Sequence, residues 1–409
     1  MILINTARNI RDLSYEMFMG FSVKMDGKYM RVEEIKTPCY VIDEAKLEEN
    51  LKILQSVEKR TGAKILLAQK CFSGFYEYPL IAKYISGTTA SGLYESRLGF
   101  EEMGKENHVF APAYTEEDMS ELVNICDHIV FNSKNQLIRH RKAVEEARKA
   151  GQNLSIGVRI NPECSTQKDH AIYDPCAEGS RMGIRICDFD KEILSFIDGI
   201  HFHTLCEQNS DDLEITLNAV EEKFGKYLHV LKWINMGGGH HITRKDFDVE
   251  KLVKLINHIK DTYDVQVYLE PGEAVALDAG YNVTTVLDKV NNGIDILILD
   301  TSAACHMPDV IEMPYRPPLK DSGEAGEKAY TYRLAGNTCL AGDVIGDYSF
   351  DNEINIGDKL IFEDMAIYSM VKNNTFNGIP LPAIAIMDKT GECKVIKEFG
   401  YDEFKRRLS

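Results

Sequence analysis

Three residues of reactive type lie where short apolar runs end, and their side chains could carry out covalent chemistry. Lys70 closes the apolar run in KILLAQKCFSG, His203 closes GIHFH, and Glu270 follows QVYL and opens EPGEA. A lysine partly removed from water loses its proton more easily and becomes a Schiff-base nucleophile, whereas a lysine taken alone is usually a surface cation with its stem on apolar surface. A buried carboxylate such as Glu270 could hold a proton on a heteroaromatic nitrogen, although Glu-Pro-Gly is also an ordinary turn.

A run of three glycines, Gly237–Gly239 in NMGGGHH, is a candidate phosphate cradle. Residues without side chains let backbone N–H groups close around an anion at a helix start. The alternative is a flexible turn with no ligand.

His201 and His203 alternate along one run, so both imidazoles are expected on one face of a strand. This spacing invites a metal site. Such sites need further His and Asp ligands at other strand ends, where only Asn and Glu occur here, and we therefore expect no metal at this pair.

Alternating apolar runs and helical patterns from residue 40 to residue 290 predict the elements that position these side chains. Helical spacing of apolar residues marks Ala45–Arg60, Thr115–Asn124, Ser133–Ala150, Leu213–Tyr227 and Val249–Tyr263. The eight candidate strands are Ile65–Gln69, Gly87–Ser91, His108–Pro112, His128–Asn132, Leu154–Ile160, Gly199–His203, Lys232–Met236 and Gln266–Leu269. Eight such units predict an α/β fold with a TIM (β/α)8 barrel, whose strand ends share one mouth. A doubly wound open sheet is the alternative, but the Gly-rich turn expected after its first strand is missing.

The sequence pattern changes after the predicted barrel. Residues 291–409 contain short β-rich runs broken by Gly, Asp and Pro, which predict an antiparallel β domain. Residues 30–39 are expected to lead into the barrel and to contribute to that domain. Residues 1–29 are interpreted as an appendage, because Met30 opens the first segment that reads as ordered.

Composition excludes several classes of protein. The chain has 409 residues, a net charge of −17 and ten cysteines. So acidic a chain is not expected to bind nucleic acid or an anionic membrane, and no apolar run is long enough to span a bilayer. The cysteines show no CxxC spacing and are interpreted as reduced thiols in a cytoplasmic protein.

Nine short motifs occur in the order and spacing of a known family. They are PCYVID, LLAQKCF, ASGLYE, VRINP, GIHFH, NMGGGH, EPGEA, GNTCLAGD and MAIYSM. Together they resemble the pyridoxal-phosphate-dependent decarboxylases that have an alanine-racemase-like barrel. Within that group the likeness is to the decarboxylases of carboxynorspermidine and carboxyspermidine, and it covers nearly everything from Met30 to the C-terminus.

The resemblance implies a cofactor, pyridoxal 5′-phosphate, and a role for each matching residue. Lys70 would form the Schiff base with it, His203 would stack on its ring and Glu270 would pair with its pyridine nitrogen. The full set of cofactor-binding residues implied in this way is Lys70, Arg159, His203, Gly237, Gly238, Gly239, Glu270 and Tyr368. Cys339 would be a catalytic general acid, reaching the active site of the other subunit of a head-to-tail homodimer.

One departure from the wider family bears on the substrate. Related decarboxylases carry arginine after Glu-Pro-Gly, whereas this chain has Glu273. A carboxylate there suggests a substrate with an internal ammonium. Burying that ammonium without a negatively charged partner would be costly. We expect Glu273 to bind the internal amine of a carboxylated polyamine and Asp343 to bind the terminal one. Cys206, where relatives have a small hydroxyl or glycine pattern, leaves one further contact open.

Three alternatives remain at this stage. The first is diaminopimelate decarboxylase. The second is an amino-acid racemase of the same fold, which needs a second base, usually a tyrosine, on the opposite face of the ring. The third is a non-catalytic cofactor carrier, which would look like a lone barrel. The precursors of norspermidine and spermidine differ by one methylene, so both could be turned over.

Overall fold

The computed structural model describes residues 30–167 and 173–409. The predicted appendage at residues 1–29 lies outside the described residues. A single 3-10 turn (Val32–Glu34) precedes strand β1 (Cys39–Asp43), which leads directly into helix α1 (Glu44–Thr61). Asp43 begins this helix because its carboxylate accepts hydrogen bonds from the backbone N–H groups of Ala45 and Lys46, and Gly62 ends it in the left-handed conformation at φ 68°.

Eight parallel strands then close into a barrel, which confirms the predicted fold class. They are β2 (Lys64–Ala68), β3 (Gly87–Ala90), β4 (Glu106–Phe110), β5 (His128–Phe131), β6 (Ser155–Arg159), β7 (Gly199–His201), β8 (Trp233–Asn235) and β9 (Gln266–Leu269). Closure comes from pairing of β2 with β9, where Lys64 lies opposite Tyr268. Each predicted strand overlaps one of these.

Helices surround the barrel and bury their apolar faces against it. After α1 they are α2 (Tyr78–Ile81), α3 (Leu93–Leu98), α4 (Glu116–Ile125), α5 (Lys134–Lys149), α6 (Lys191–Leu194), α7 (Ser210–Leu228), α8 (Val249–Tyr263) and α9 (Glu273–Ala276). Side-chain capping explains where several of these helices begin. Thr115 caps α4 by accepting from Asp118, and Ser133 caps α5 by accepting from Gln136.

The single tryptophan fills part of the barrel interior. A Cβ atom at Gly199 would lie 2.0 Å from the indole of Trp233, and one at Gly157 would lie 2.2 Å from it. The two preceding strands, β6 and β7, therefore need glycine at the level of this ring.

The remaining strands form a mixed, mainly antiparallel sheet. They are β10 (Gly280–Asn291), β11 (Asp295–Leu299), β12 (Tyr330–Ala335), β13 (Val344–Phe350), β14 (Lys359–Glu363), β15 (Ala383–Met387) and β16 (Cys393–Lys397), with short helices α10 (Ala303–His306) and α11 (Asp309–Glu312) and a C-terminal helix α12 (Tyr401–Leu408). The order is β13-β12-β11-β10-β1-β15-β16, and β14 also pairs with β10. The β1–β15 and β11–β12 pairs are parallel.

The sheet corrects the predicted domain boundaries. Strand β1 pairs with β10 and β15, so residues 39–43 belong to the sheet, as does β10 at 280–291. The predicted barrel, 40–290, therefore included a sheet strand at each end, because a buried sheet strand and a buried barrel strand have the same apolar pattern. Within the described residues, no helix is long and apolar enough to cross a membrane.

Candidate active site

The C-terminal ends of the barrel strands bring the predicted residues to one mouth. Lys70 lies in the turn after β2, and Arg159 is the last residue of β6. His203, Gly237 and Glu270 follow β7, β8 and β9, respectively. In a barrel of this kind the loops after the strands form one cavity, so these side chains face a common space.

Glu270 is held by three neighbours. Its Oε1 accepts hydrogen bonds from Thr89 Oγ1 at 2.9 Å and Asn235 Nδ2 at 2.7 Å, and its Oε2 lies 3.2 Å from Nε2 of His201. Burial alone would raise the pKa of Glu270, but His201 and the hydrogen bonds from His201 and Asn235 outweigh it and hold this pKa well below the usual range. The carboxylate is therefore ionised, oriented and able to hold a proton on a neighbouring basic nitrogen.

Sequence reasoning missed these supporting residues. It considered His201 only as a metal ligand, whereas the structure pairs this buried imidazole with Glu270. Burial lowers the pKa of His201, and the nearby Glu270 partly offsets this. Asn235 carried one usable signal, since it is a polar residue in the otherwise apolar strand β8, whereas Thr89 lies in a strand that has a second threonine, Thr88.

His203 and Arg159 fix each other at the mouth. Arg159 Nη2 donates to the carbonyl oxygen of His203 at 2.9 Å, and its guanidinium carbon lies 4.8 Å from the ring centroid of Phe110. Burial lowers the pKa of Arg159 to about 10. Burial, together with the Lys70 ammonium and the Arg159 guanidinium, holds the pKa of His203 well below its ordinary value. The imidazole of His203 is therefore neutral, and its flat ring is suited to stack on another aromatic ring.

The three glycines form a tight cradle next to His203. A Cβ atom would lie 2.5 Å from the carbonyl oxygen of Phe202 at Gly237, 2.4 Å from that of Glu270 at Gly238, and 2.0 Å from that of Leu205 at Gly239. Gly237 and Gly239 also have φ values of 68° and 82°, which favour glycine. This segment can adopt its path only without side chains.

Backbone donors of the cradle point to an anion. The N–H of Gly237 donates to Asn235, and that of Gly238 lies 3.0 Å from Nδ1 of His203. The N–H groups of Gly239 and His240 have no acceptor in the part of the chain that the structure describes. Two free donors beside a side-chain-free turn suit a phosphate group.

Tyr368 and Glu273 approach the mouth from its rim. The backbone N–H of Tyr368 donates to the carbonyl of Cys71 at 3.0 Å, which fixes this sheet-domain residue beside the Lys70 turn. Burial raises the pKa of the Tyr368 hydroxyl well above its ordinary value, so it remains a donor. Glu273 is not free, because its Oε2 lies 3.0 Å from Nε2 of His241 and both side chains are largely buried.

The loop between β12 and β13 holds the remaining predicted residues. Cys339 is exposed, and its backbone N–H donates to Asn377 Oδ1 at 2.7 Å. Asp343 is only 3% exposed and accepts hydrogen bonds from Ser302 Oγ at 2.8 Å, Thr338 Oγ1 at 2.6 Å and the Ala304 N–H at 3.2 Å. With these donors around it, the Asp343 carboxylate has little capacity left for a substrate amine.

Cys206 lies beside the glycine cradle, since a Cβ atom at Gly239 would lie 2.8 Å from its backbone nitrogen. Burial raises the pKa of its thiol to about 12, so it is a neutral thiol and not a nucleophile. Its backbone carbonyl accepts from Gln167 at 3.1 Å. Its contacts assign it no role beyond packing.

The sequence of this chain is similar to a protein family and to several decarboxylases of known name. Residues 39–366 match the family described as "Pyridoxal-dependent decarboxylase, C-terminal sheet domain". The carboxynorspermidine/carboxyspermidine decarboxylase of Campylobacter jejuni is 43% identical over 389 residues, covering 92% of this chain and 100% of that protein. The carboxyaminopropylagmatine decarboxylase of Synechocystis is 38% identical, with coverages of 92% and 97%. The diaminopimelate decarboxylase of Bacillus subtilis is more distant, at 24% identity, with coverages of 93% and 92%.

A solved structure agrees with these relatives. The crystal structure of the Campylobacter jejuni carboxynorspermidine decarboxylase complexed with norspermidine superposes with a TM-score of 0.85. It is 42% identical and covers 91% of this chain and 100% of that one. The motifs, the barrel with its sheet, and these relatives agree: the chain belongs to the pyridoxal-dependent decarboxylase family.

Proposed function

We propose that this protein is a carboxy-lyase that removes CO2 from carboxynorspermidine, carboxyspermidine or both, with pyridoxal 5′-phosphate as cofactor. The observation that carries the proposal is the 43% identity, over the full length of the relative, to a decarboxylase of these two compounds. Diaminopimelate decarboxylases are only distant relatives, and the sheet beside the barrel argues against a lone-barrel carrier.

The residues at the mouth fit pyridoxal phosphate. The glycine cradle with its two free N–H groups suits the phosphate dianion, and the ionised Glu270 suits a protonated pyridine nitrogen. Lys70 would hold the cofactor covalently, and His203 and Arg159 would lie against the ring. The Tyr368 hydroxyl would donate to the phosphate. When bound, the cofactor supplies an electron sink for the pair left behind when CO2 departs.

The chain's own residues would control the protons. Glu270, held ionised, would keep the proton on the pyridine nitrogen. After CO2 leaves, the α-carbon needs a proton, and we assign this donation to Cys339. The Cys339 thiol is exposed, and no described residue of its own chain binds its sulfur, which supports a role in the mouth of a second subunit.

A homodimer is part of the proposal. Leu340 beside Cys339 is 44% exposed, and Phe376, next to the Asn377 that binds the Cys339 N–H, is 48% exposed, so the surface around this thiol is apolar. We propose that Asp343 shapes the loop that holds Cys339, since its donors are Ser302, Thr338 and the Ala304 backbone.

Glu273 remains the proposed partner of the internal amine, and His241 holds its carboxylate in place. The free thiols favour a reducing, cytoplasmic setting.

A second candidate substrate is carboxyaminopropylagmatine, because a decarboxylase of that compound is 38% identical over 92% of this chain. It shares the carboxylated aminopropyl end and differs at the far end. The candidates therefore differ in the contacts at the rim and not in the chemistry at the α-carbon.

The experiment is an assay of CO2 release from four compounds with purified holoenzyme. They are carboxynorspermidine, carboxyspermidine, carboxyaminopropylagmatine and meso-diaminopimelate. The proposal predicts the highest kcat/KM for one or both of the first two. A clear preference for the third would establish the second candidate, and turnover of meso-diaminopimelate alone would contradict both.

A further inference from the structure

Three potential metal ligands lie together at the end of the barrel opposite the mouth. Glu106 and His108 come from β4, and His128 is the first residue of β5. One ligand atom of each residue lies within 4.8 Å of the other two. The starts of parallel strands face away from the loops that form the mouth, so this cluster is separate from Lys70. We propose that Glu106, His108 and His128 form a binding site for a divalent transition-metal ion of the Zn²⁺ type. The inference is independent of the proposed function.

Two of the three ligands are already spaced for a metal ion. Oε2 of Glu106 lies 3.3 Å from Nε2 of His108. In a tetrahedral zinc site, bonds of about 2.0–2.1 Å place neighbouring ligand atoms roughly 3.4 Å apart. An ion could therefore replace the proton shared by this pair with little movement of either residue.

The third ligand has an unused nitrogen. His128 is 9% exposed, and its buried Nδ1 has no hydrogen-bond partner among the described residues. A buried polar atom without a partner is costly, and native structures rarely leave one so without a reason. A metal ion bound by the imidazole of His128 would supply that reason.

Binding requires one imidazole to turn. The rings of His108 and His128 are stacked, with centroids 3.9 Å apart and planes within 10° of parallel. A single ion cannot lie in both of these planes. The torsion about the Cβ–Cγ bond of histidine is broad, so a turn of one ring can aim both nitrogens at a common point. Metal binding should therefore separate the stacked rings.

Lys64 opposes the ion and provides an internal control. Its ammonium pairs with the other carboxylate oxygen of Glu106, Oε1, and lies 5.6 Å from the ring centroid of Tyr268. The side chains of Lys64 and Glu106 are 36% and 27% exposed, so an ion can enter from solvent. Removing this positive charge should strengthen metal binding, whereas a purely structural cluster would show no such response.

The donor set selects the kind of metal. Two imidazoles and one carboxylate suit Zn²⁺ and Co²⁺, and three protein ligands leave a position open for water. The wall beside them is aromatic, since the ring centroid of Trp233 lies 4.9 Å from that of His128. An apolar wall of this kind limits solvent access and strengthens binding to the ion.

The test is a titration of the holoenzyme with Co²⁺ alone, followed by visible absorption. We expect one saturating equivalent with d–d bands typical of nitrogen and oxygen ligands and without the charge-transfer band that a thiolate ligand gives. His128→Asn and Glu106→Gln should each weaken binding at least about tenfold, and Lys64→Met should tighten it several-fold. Circular dichroism establishes that each variant is folded.

Two results would overturn the inference. One is the absence of saturable Co²⁺ bands in the wild-type protein and in the Lys64→Met variant. The other is binding that remains unchanged in both His128→Asn and Glu106→Gln, which would place the ion elsewhere, for example on one of the ten cysteines.

Discussion

The two ends of the barrel carry the same residue types and use them differently. Strand β2 has one lysine at its start and another just beyond its end, Lys64 and Lys70. At the start, Lys64 pairs with Glu106, and His108 contacts the same carboxylate. At the mouth, Lys70 has no ion pair among the described residues, and Glu270 is held instead by neutral amide and hydroxyl donors and by an imidazole.

This difference teaches that the partners of a lysine, and not the residue type, decide which of the two lysines is available for covalent chemistry. A lysine that neutralises its own glutamate contributes an ion pair to the barrel. A lysine left unpaired near neutral imidazoles can take up a ligand.

Lys70→Ala should lower kcat for CO2 release at least about 10³-fold, because it removes the amine that would hold the cofactor covalently. Lys64→Ala is the matched control on the same strand, and its kcat should stay within a few-fold of wild type. The measurement is steady-state CO2 release with carboxynorspermidine, together with the visible absorbance of bound cofactor. Equal losses in the two variants would contradict the comparison.

Glu270→Gln should lower kcat by about 10²–10³-fold, since a neutral amide cannot hold the proton on the pyridine nitrogen. KM should change little, because the substrate binds elsewhere. Glu106→Gln is the control at the other end, and kcat for this variant should remain near wild type. A change in the absorption spectrum of the bound cofactor in Glu270→Gln alone would support the assignment, whereas a wild-type kcat would contradict it.

Glu273→Gln should raise KM for the carboxylated polyamine by about tenfold or more, because the charge-assisted hydrogen bond proposed between Glu273 and the internal ammonium would be lost. His241→Gln tests whether the partner only positions the carboxylate, and it should raise KM less. An unchanged KM in Glu273→Gln would remove this residue from the substrate site.

A smaller effect concerns stability in acid. Burial lowers the pKa of His240 to about 4, so this imidazole is neutral in the folded protein while the unfolded chain takes up a proton below about 6.5. The unfolded state then binds more protons, and stability falls as pH decreases from 6.5 towards 4. His240 should contribute a loss of about 2 kcal/mol between pH 7 and pH 5.

Urea unfolding at these two pH values checks this prediction. His240→Gln should lose about that much less stability than wild type when the pH is lowered. The same pH dependence in both proteins would show that other groups are responsible.

The local spacing of apolar and polar residues was sufficient to predict the barrel and many of the residues at its mouth. Apolar runs of strand length separated by helical spacing identify βα units, and the polar residue that ends each run then faces a known end of the barrel. Lys70, His203 and Glu270 could be found in this way. The glycine cradle could be found too, because side-chain-free residues after a strand have few other uses.

Long-range partners could not be predicted. Thr89 binds Glu270 across 181 positions of sequence, and no local pattern records such a contact. The contacts of Asp343 with Ser302 and Ala304 depend likewise on how distant segments pack, and the cluster of Glu106 with two histidines depends on how β4 and β5 lie side by side. The sheet membership of β1 was hidden for the same reason, since its partner β15 lies near the other end of the chain.

That position of β1 has a consequence for biosynthesis. It is synthesised before the barrel, whereas Ala383, which pairs with Cys39, is synthesised after the barrel. The barrel is thus an insertion between β1 and β10, whose pairing of Ile42 with Gly280 clamps its entry and exit. One edge of β1 stays open throughout translation until β15 emerges. A nascent chain that stalls before Ala383 would therefore expose an unpaired strand edge, the kind of surface that chaperones protect and that drives aggregation.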